Sequence, residues 1–210
     1  MKILVIGAFA GETDLLQIPG VAVLNAGIGN VEAAVNLLNW LHVNPEIEHI
    51  IFTGSCGAYP HSELKTGDIF YSSSFLSIET SSIAGFSKIP EAMVHKITTG
   101  SFSPLTEYLQ KKGFAEKVVN SISSITLSDL ENEMMRKSLL CNAVAENMEC
   151  FGLATAAKST NKTFTAILGV SNSTGANGSS DWKLYWREIS DSLQHLLQDF
   201  FRSYQEKKVL

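Results

Sequence analysis

Seven short apolar runs, at about 2–7, 21–26, 48–53, 67–75, 117–125, 141–146 and 163–170, alternate with amphipathic stretches at about 30–42, 104–112, 128–139, 149–160 and 182–207. Runs of that length suit buried strands, and apolar residues recurring every three or four positions mark one face of a helix. Strands separated by helices need crossovers that cover the sheet. The pattern therefore predicts a three-layer α/β/α domain around a central mixed sheet. With 210 residues, 45% of them hydrophobic, the chain can bury a full core as one domain over 1–210, and it shows neither repeat nor low-complexity linker. The last amphipathic stretch carries Trp182, Trp186, Ile189, Leu193, Leu196, Leu197 and Phe200 near helical spacing. It predicts a helix laid across the sheet, with these side chains in the core. The segment 76–103 is the least periodic and reads as a long loop.

A formal net charge of −5 without any basic run disfavours nucleic acid and anionic membranes as partners. No apolar run is long enough to span a bilayer, and the amino terminus lacks a signal-peptide pattern, so a cytoplasmic protein is expected. Cys56, Cys141 and Cys150 lack metal-ligand spacing and suit reduced thiols. No cofactor or metal is expected. The arginines are Arg136, Arg187 and Arg202, so the first 135 residues contain none.

Small and polar residues follow the apolar runs, as ligand-binding rims of open α/β sheets require. After Lys2–Ile6, the small-residue turn Gly7–Gly11 places Glu12 at the carboxyl end of the first strand. A carboxylate there can act as a general base on water; equally, it can complement the dipole of a following helix. Gly27-Ile-Gly29-Asn30 invites a phosphate-cradling reading, but the third glycine of a dinucleotide fingerprint is missing and the motif follows the second strand. A tight turn that lets backbone approach a small ligand, with Ala33 and Ala34 packing the helix on the sheet, is the simpler account. Met148-Glu149 opens a small-residue helix. Its carboxylate can accept both hydrogens of a vicinal diol or serve as an ordinary first-turn acid.

Together, Gly7-Ala-Phe-Ala-Gly-Glu12, Asn25-Ala-Gly-Ile-Gly-Asn30, Thr53-Gly-Ser-Cys-Gly57 with Leu64-Lys-Thr-Gly-Asp68-Ile, Met148-Glu149 and Val170-Ser-Asn172 resemble the nucleoside phosphorylase and nucleosidase superfamily. Within it the chain is most similar to futalosine hydrolase and 5′-methylthioadenosine/S-adenosylhomocysteine nucleosidase, over roughly residues 1–190. The resemblance implies a homodimeric hydrolase cleaving the N-ribosidic bond of a purine nucleoside. It implies Glu12 as the base that activates water with Ser55 beside it, and Met148 and Glu149 as the ribose-binding pair. Backbone at Ile125 and Thr126 would run along the base. Asn172 stands where adenine-specific nucleosidases have an Asp that protonates purine N7.

The departures from that pattern point to the substrate. An amide at 172 suits a 6-oxopurine, and Ser171-Asn172-Ser-Thr-Gly175 followed by Trp182 looks more like futalosine hydrolase, an enzyme of menaquinone synthesis. Only about Gln17–Gly20 remains of the hairpin expected before the Gly27 turn. Asn147 replaces a Glu before the Met-Glu pair, Ile167-Leu168 replaces an expected Arg, and Asn177-Gly178 replaces an Arg-Asp pair. The alternatives are a methylthioadenosine/adenosylhomocysteine nucleosidase with altered acid chemistry, and a nucleoside-binding protein that has lost catalysis.

Overall fold

The computed structural model describes residues 2–128, 138, 140 and 142–209. The helix expected at 128–139 lies almost wholly outside them. The described elements run β1 (Ile3–Gly7), β2 (Ala22–Asn25), α1 (Asn30–Val43), β3 (His49–Ala58), β4 (Ile69–Leu76), α2 (Thr80–Ile83), β5 (Lys96–Thr98), α3 (Ser103–Lys111), β6 (Glu116–Ser121), β7 (Ala143–Asn147), α4 (Cys150–Ser159), β8 (Thr163–Ser173) and α5 (Gly178–Val209).

The eight strands form one mixed sheet. Three parallel pairings, β2–β1, β1–β3 and β3–β8, make its open side. On the other side β8 pairs antiparallel with β4, β4 parallel with β6, β6 parallel with β7, and β7 antiparallel with β3. Those ladders return to β3, so the sheet curls into a closed ring of five strands, with β1 and β2 extending from β3 and β5 extending from β4. Within the ring every strand is paired on both sides, which leaves β2 and β5 as the edges of the sheet.

Strand alternation divides the buried side chains between two cores. Leu4, Ile6, Ile50, Phe52, Phe164, Ala166 and Leu168 meet α1 through Ala33, Leu37 and Leu41 and α4 through Leu153, Ala154 and Ala157. Ile3, Val5, Ile51 and Ile167 face the opposite layer, where α3 supplies Leu105 and Leu109 and α5 supplies Ile189, Leu193, Leu197, Phe200 and Phe201. Both faces of β1 are thus covered, which is why Ile3–Gly7 is apolar throughout rather than alternating. The three-layer arrangement expected from the sequence is present. Of the aromatics assigned to the core of the last helix, Phe200 is buried, but Trp182 lies on a cavity wall instead.

The segment 76–103 is more ordered than a loop. It contains α2 and β5, and β5 pairs with β4. Ile78 is buried, and Ile83 and Ile89 pack with it against Tyr59, Leu76 and Ala143. Phe86 and Met93 are exposed. None of the described helices is long and apolar enough to cross a membrane.

Candidate active site

A cavity of ≈490 Å3 opens where β1, β3, β7 and β8 end, lined among others by Phe9, Glu12, Ser55, Gly57, Ile125, Glu146, Met148, Glu149, Asn172, Trp182 and Lys183. Of the seven residues expected to act on substrate, six line it. Thr126 does not; it is buried behind the wall.

Glu12 ends a single 3-10 turn, Ala10–Glu12, not the first turn of a longer helix. Its side chain folds back beneath the end of β1. The Ala8 N–H donates to Oε2 at 2.8 Å and the Ser55 N–H to Oε1 at 3.3 Å. Burial outweighs these two bonds, and with the charge of Glu149 nearby it pushes the carboxyl group up to about 8. A carboxylic acid tuned that high can exchange a proton near neutral pH. The turn is pinned from α5: the Gly11 carbonyl accepts from Ser190 Oγ at 2.7 Å and from Arg187, while Gln194, fully buried, accepts from the Leu15 N–H at 2.7 Å. This clamp takes over where the connection between Glu12 and β2 is short.

Glu149 immediately precedes α4 and reaches across to the turn before α1, where Oε1 accepts the Gly29 N–H at 3.0 Å. Gly29 sits at φ 91°, a left-handed conformation that favours glycine and aims its amide at the carboxylate. That amide is therefore engaged by Glu149 and does not cradle phosphate. Burial raises the Glu149 carboxyl group as well, against the bonds from Gly29 and Asn147. Asn147 holds the corner together, since its Oδ1 accepts from the N–H groups of Glu149 and Cys150 at 2.8 and 2.9 Å, and its Nδ2 donates to the Ser55 carbonyl at 3.1 Å. It thereby holds the N–H groups at the entrance to α4 and ties Met148-Glu149 to β3.

Asn172 is aimed by a bulge. The β3–β8 register shifts between Cys56 and Gly57, leaving Ser171 unpaired, and the extra residue turns the next side chain into the cavity. Ser171 Oγ donates to Asn172 Oδ1 at 2.8 Å, and Asn172 Nδ2 donates to the Ser173 carbonyl at 2.9 Å. One N–H of the amide remains for a ligand. The Trp182 indole donates to Ser55 Oγ at 3.0 Å, and its ring, stacked on Trp186 at 5.7 Å, forms an apolar wall beside Phe9. Met148 and Ile125 add apolar surface, Ile125 half-exposed at the rim.

Sequence reasoning missed Glu146, a third buried carboxylate on the cavity wall. It lies inside an apolar strand without a motif around it, and only its pairing opposite Gly57 turns it inward. The Thr126 N–H donates to its Oε1 at 3.1 Å and Thr126 Oγ1 to its Oε2 at 2.6 Å. Burial raises its carboxyl group despite these bonds and a further one from the Tyr59 hydroxyl. Among the described residues no group of three or more His, Cys, Asp or Glu side chains is placed to hold a metal ion.

No functionally curated protein matches the chain. Solved structures do. A 5′-methylthioadenosine/S-adenosylhomocysteine nucleosidase from Neisseria meningitidis, in complex with methylthio-immucillin-A, superposes with a TM-score of 0.79 at 17% identity, over 97% of this chain and 100% of that one. The Helicobacter pylori enzyme gives 0.78 at 14% identity over 97% and 98%. The Streptococcus pneumoniae enzyme, in complex with 8-aminoadenine, gives 0.78 at 17% identity over 95% and 98%. At these identities the likeness is one of fold. A model of the phosphorylase superfamily matches residues 15–202, most of the chain and all of the strands that build the rim except β1. The chain belongs to the phosphorylase superfamily.

Proposed function

We propose that the protein hydrolyses the N-ribosidic bond of a purine nucleoside, with a 6-oxopurine as the leaving base, as in a futalosine-type substrate. The observation that carries this reading is the pair of buried carboxylates, Glu12 and Glu149, on one cavity wall. As the C1′–N9 bond lengthens, positive charge builds on the ribose. Both acids gain attraction to it in the transition state, where stabilisation accelerates the reaction. Glu149 accepts from the 2′- and 3′-hydroxyls with the oxygen valences that Gly29 leaves open. Glu12 takes a proton from the water that bonds to C1′. The bonding electrons pass to the purine, where the free N–H of Asn172 reaches N7 or O6.

Water rather than phosphate is the nucleophile. A phosphate dianion beside the ribose needs forked donors such as arginine. Among the described residues the cavity lining includes no arginine, and the lysine there, Lys183, is exposed. Arg187 is engaged with Asp14 at 2.8 Å and Asp191 at 2.6 Å. By the same resemblance the protein works in the cytoplasm, as a homodimer.

A methylthioadenosine/adenosylhomocysteine nucleosidase is the second reading, favoured by the names of the solved structures this fold superposes on. Assay of released base and reducing sugar with inosine, futalosine and methylthioadenosine, at several phosphate concentrations, separates the possibilities. Hypoxanthine and free sugar at a phosphate-independent rate support the proposal. Preferred release of adenine supports the second reading, and ribose 1-phosphate refutes hydrolysis. Thermal stabilisation by a nucleoside without turnover identifies a non-catalytic binder.

A further inference from the structure

We propose that Glu146 reads the leaving base, its carboxylate accepting the ring N–H of a 6-oxopurine beside the Asn172 amide. The inference deepens the nucleosidase reading and rests on it. Three neighbouring strands bring the two side chains together. Gly57 of β3 stands opposite Glu146 of β7 on one side and Asn172 of β8 on the other. A Cβ on Gly57 would lie 3.0 Å from Asn172 Nδ2 and 3.6 Å from Glu146 Cγ. The absent side chain thus leaves one pocket floor flanked by an amide and a carboxylate. Both line the cavity.

The donor and acceptor pattern of that floor is set by what each group already holds. Asn172 retains one N–H, because its other hydrogen goes to the Ser173 carbonyl; its oxygen receives Ser171 Oγ on one lone pair, so the group that separates an N1–H from a bare N1 is the Glu146 acceptor. Glu146 accepts from Thr126 on each oxygen and from the Tyr59 hydroxyl, and an ionised carboxylate has about four lone-pair sites. It therefore presents a spare acceptor. The Thr126 N–H, which the family resemblance would place along the base, is held by Glu146 and is no longer free to donate there. A base edge that meets a donor from Asn172 and an acceptor from Glu146 must present an acceptor followed by a donor. The O6 and N1–H of a 6-oxopurine match that order; the 6-amino group and bare N1 of adenine reverse it. A reversed pair leaves buried polar groups unmatched, the kind of mismatch that discriminates most strongly between substrates.

Free bases test this without depending on turnover. Binding of hypoxanthine and of 1-methylhypoxanthine, which lacks the N1 hydrogen, is measured calorimetrically on the wild type and on Glu146→Gln. The glutamine oxygen still accepts from the Thr126 N–H. The wild type is expected to favour hypoxanthine, and Glu146→Gln to reduce the hypoxanthine-to-methylhypoxanthine affinity ratio about tenfold or more. Equal loss of both affinities, as a merely structural residue would cause, overturns the proposal, as does an unchanged ratio. Failure of the wild type to bind hypoxanthine overturns it too. Glu146→Asp keeps the carboxylate but withdraws it by one methylene, and carries the same comparison should the glutamine variant unfold. Wild-type protein that binds hypoxanthine through Glu146 yet releases no base from any nucleoside refutes the catalytic reading alone. Base release with a ratio insensitive to Glu146 refutes this inference alone.

Discussion

Replacing Glu12 by Gln keeps the side-chain volume and removes its ionisation. Two opposite effects are expected, and pH separates them. Turnover should fall at least about a hundredfold, since a positioned general base contributes roughly 10²–10⁴ in rate and an amide cannot accept the proton of water. Stability should move with pH. The carboxyl group titrates near 8 in the fold against an ordinary value of 4.5, so between those values the native state holds a proton that the unfolded chain has released. Wild-type stability from this group is fully present below about pH 4.5 and is lost as pH rises through about 8. At pH 7 that loss amounts to about 3 kcal/mol by linkage, an upper figure because a buried site relaxes. Gln carries no such penalty, but its single oxygen cannot serve both the Ala8 and Ser55 N–H groups. Leaving one of them unmatched costs about 1–3 kcal/mol. Near neutrality the two contributions roughly cancel. The variant should melt below the wild type at pH 5 and above it at pH 8.5. Thermal unfolding across that range, with base-release kinetics at each pH, checks both limbs. In the wild type kcat/KM should climb about tenfold per pH unit up to about 8. A folded Glu12→Gln protein with near-normal turnover, or a stability difference flat in pH, would refute the assignment.

Asn172→Asp should shift kcat/KM from hypoxanthine towards adenine nucleosides of the same 5′-group by about ten- to a hundredfold, one lost and one gained hydrogen bond; equal loss on both substrates removes Asn172 from specificity. Gly152→Ala should destabilise the fold by about 1–3 kcal/mol or more, because the new Cβ would lie 2.0 Å from the Asn30 carbonyl oxygen and force α1 and α4 apart; an unchanged denaturant midpoint would contradict that packing. Sedimentation at micromolar concentration should show a dimer. Exposed Val31, Val35 and Leu38 line one face of α1, and Phe86 is open as well; a strictly monomeric mass excludes this.

The layers and the rim are legible from the order of residues alone. Continuous apolar runs such as Ile3–Gly7 can be satisfied only between two helical layers, and small residues after such runs can only be strand-end turns. That logic is local, so Glu12, Ser55, Met148, Glu149 and Asn172 are all readable, and all line one cavity. The remainder depends on strands far apart in the chain. The ring closure through β4, β6 and β7 has no signature in any one run, because pairing partners are chosen by register and curvature. Glu146 reads as a misplaced acid in an apolar strand until β7 is set against Gly57. Thr126, expected to run along the base, instead holds Glu146 from behind. Asn147 reads as a lost family acid and proves to hold the backbone N–H groups of Glu149 and Cys150 where α4 begins. Trp182 has core periodicity, yet it lies near the start of α5, where the helix overhangs the cavity. Helical spacing gives its face, and only the position of the helix end gives its neighbour. Periodicity reports which side of an element is buried; what it is buried against is fixed only when the whole chain has packed.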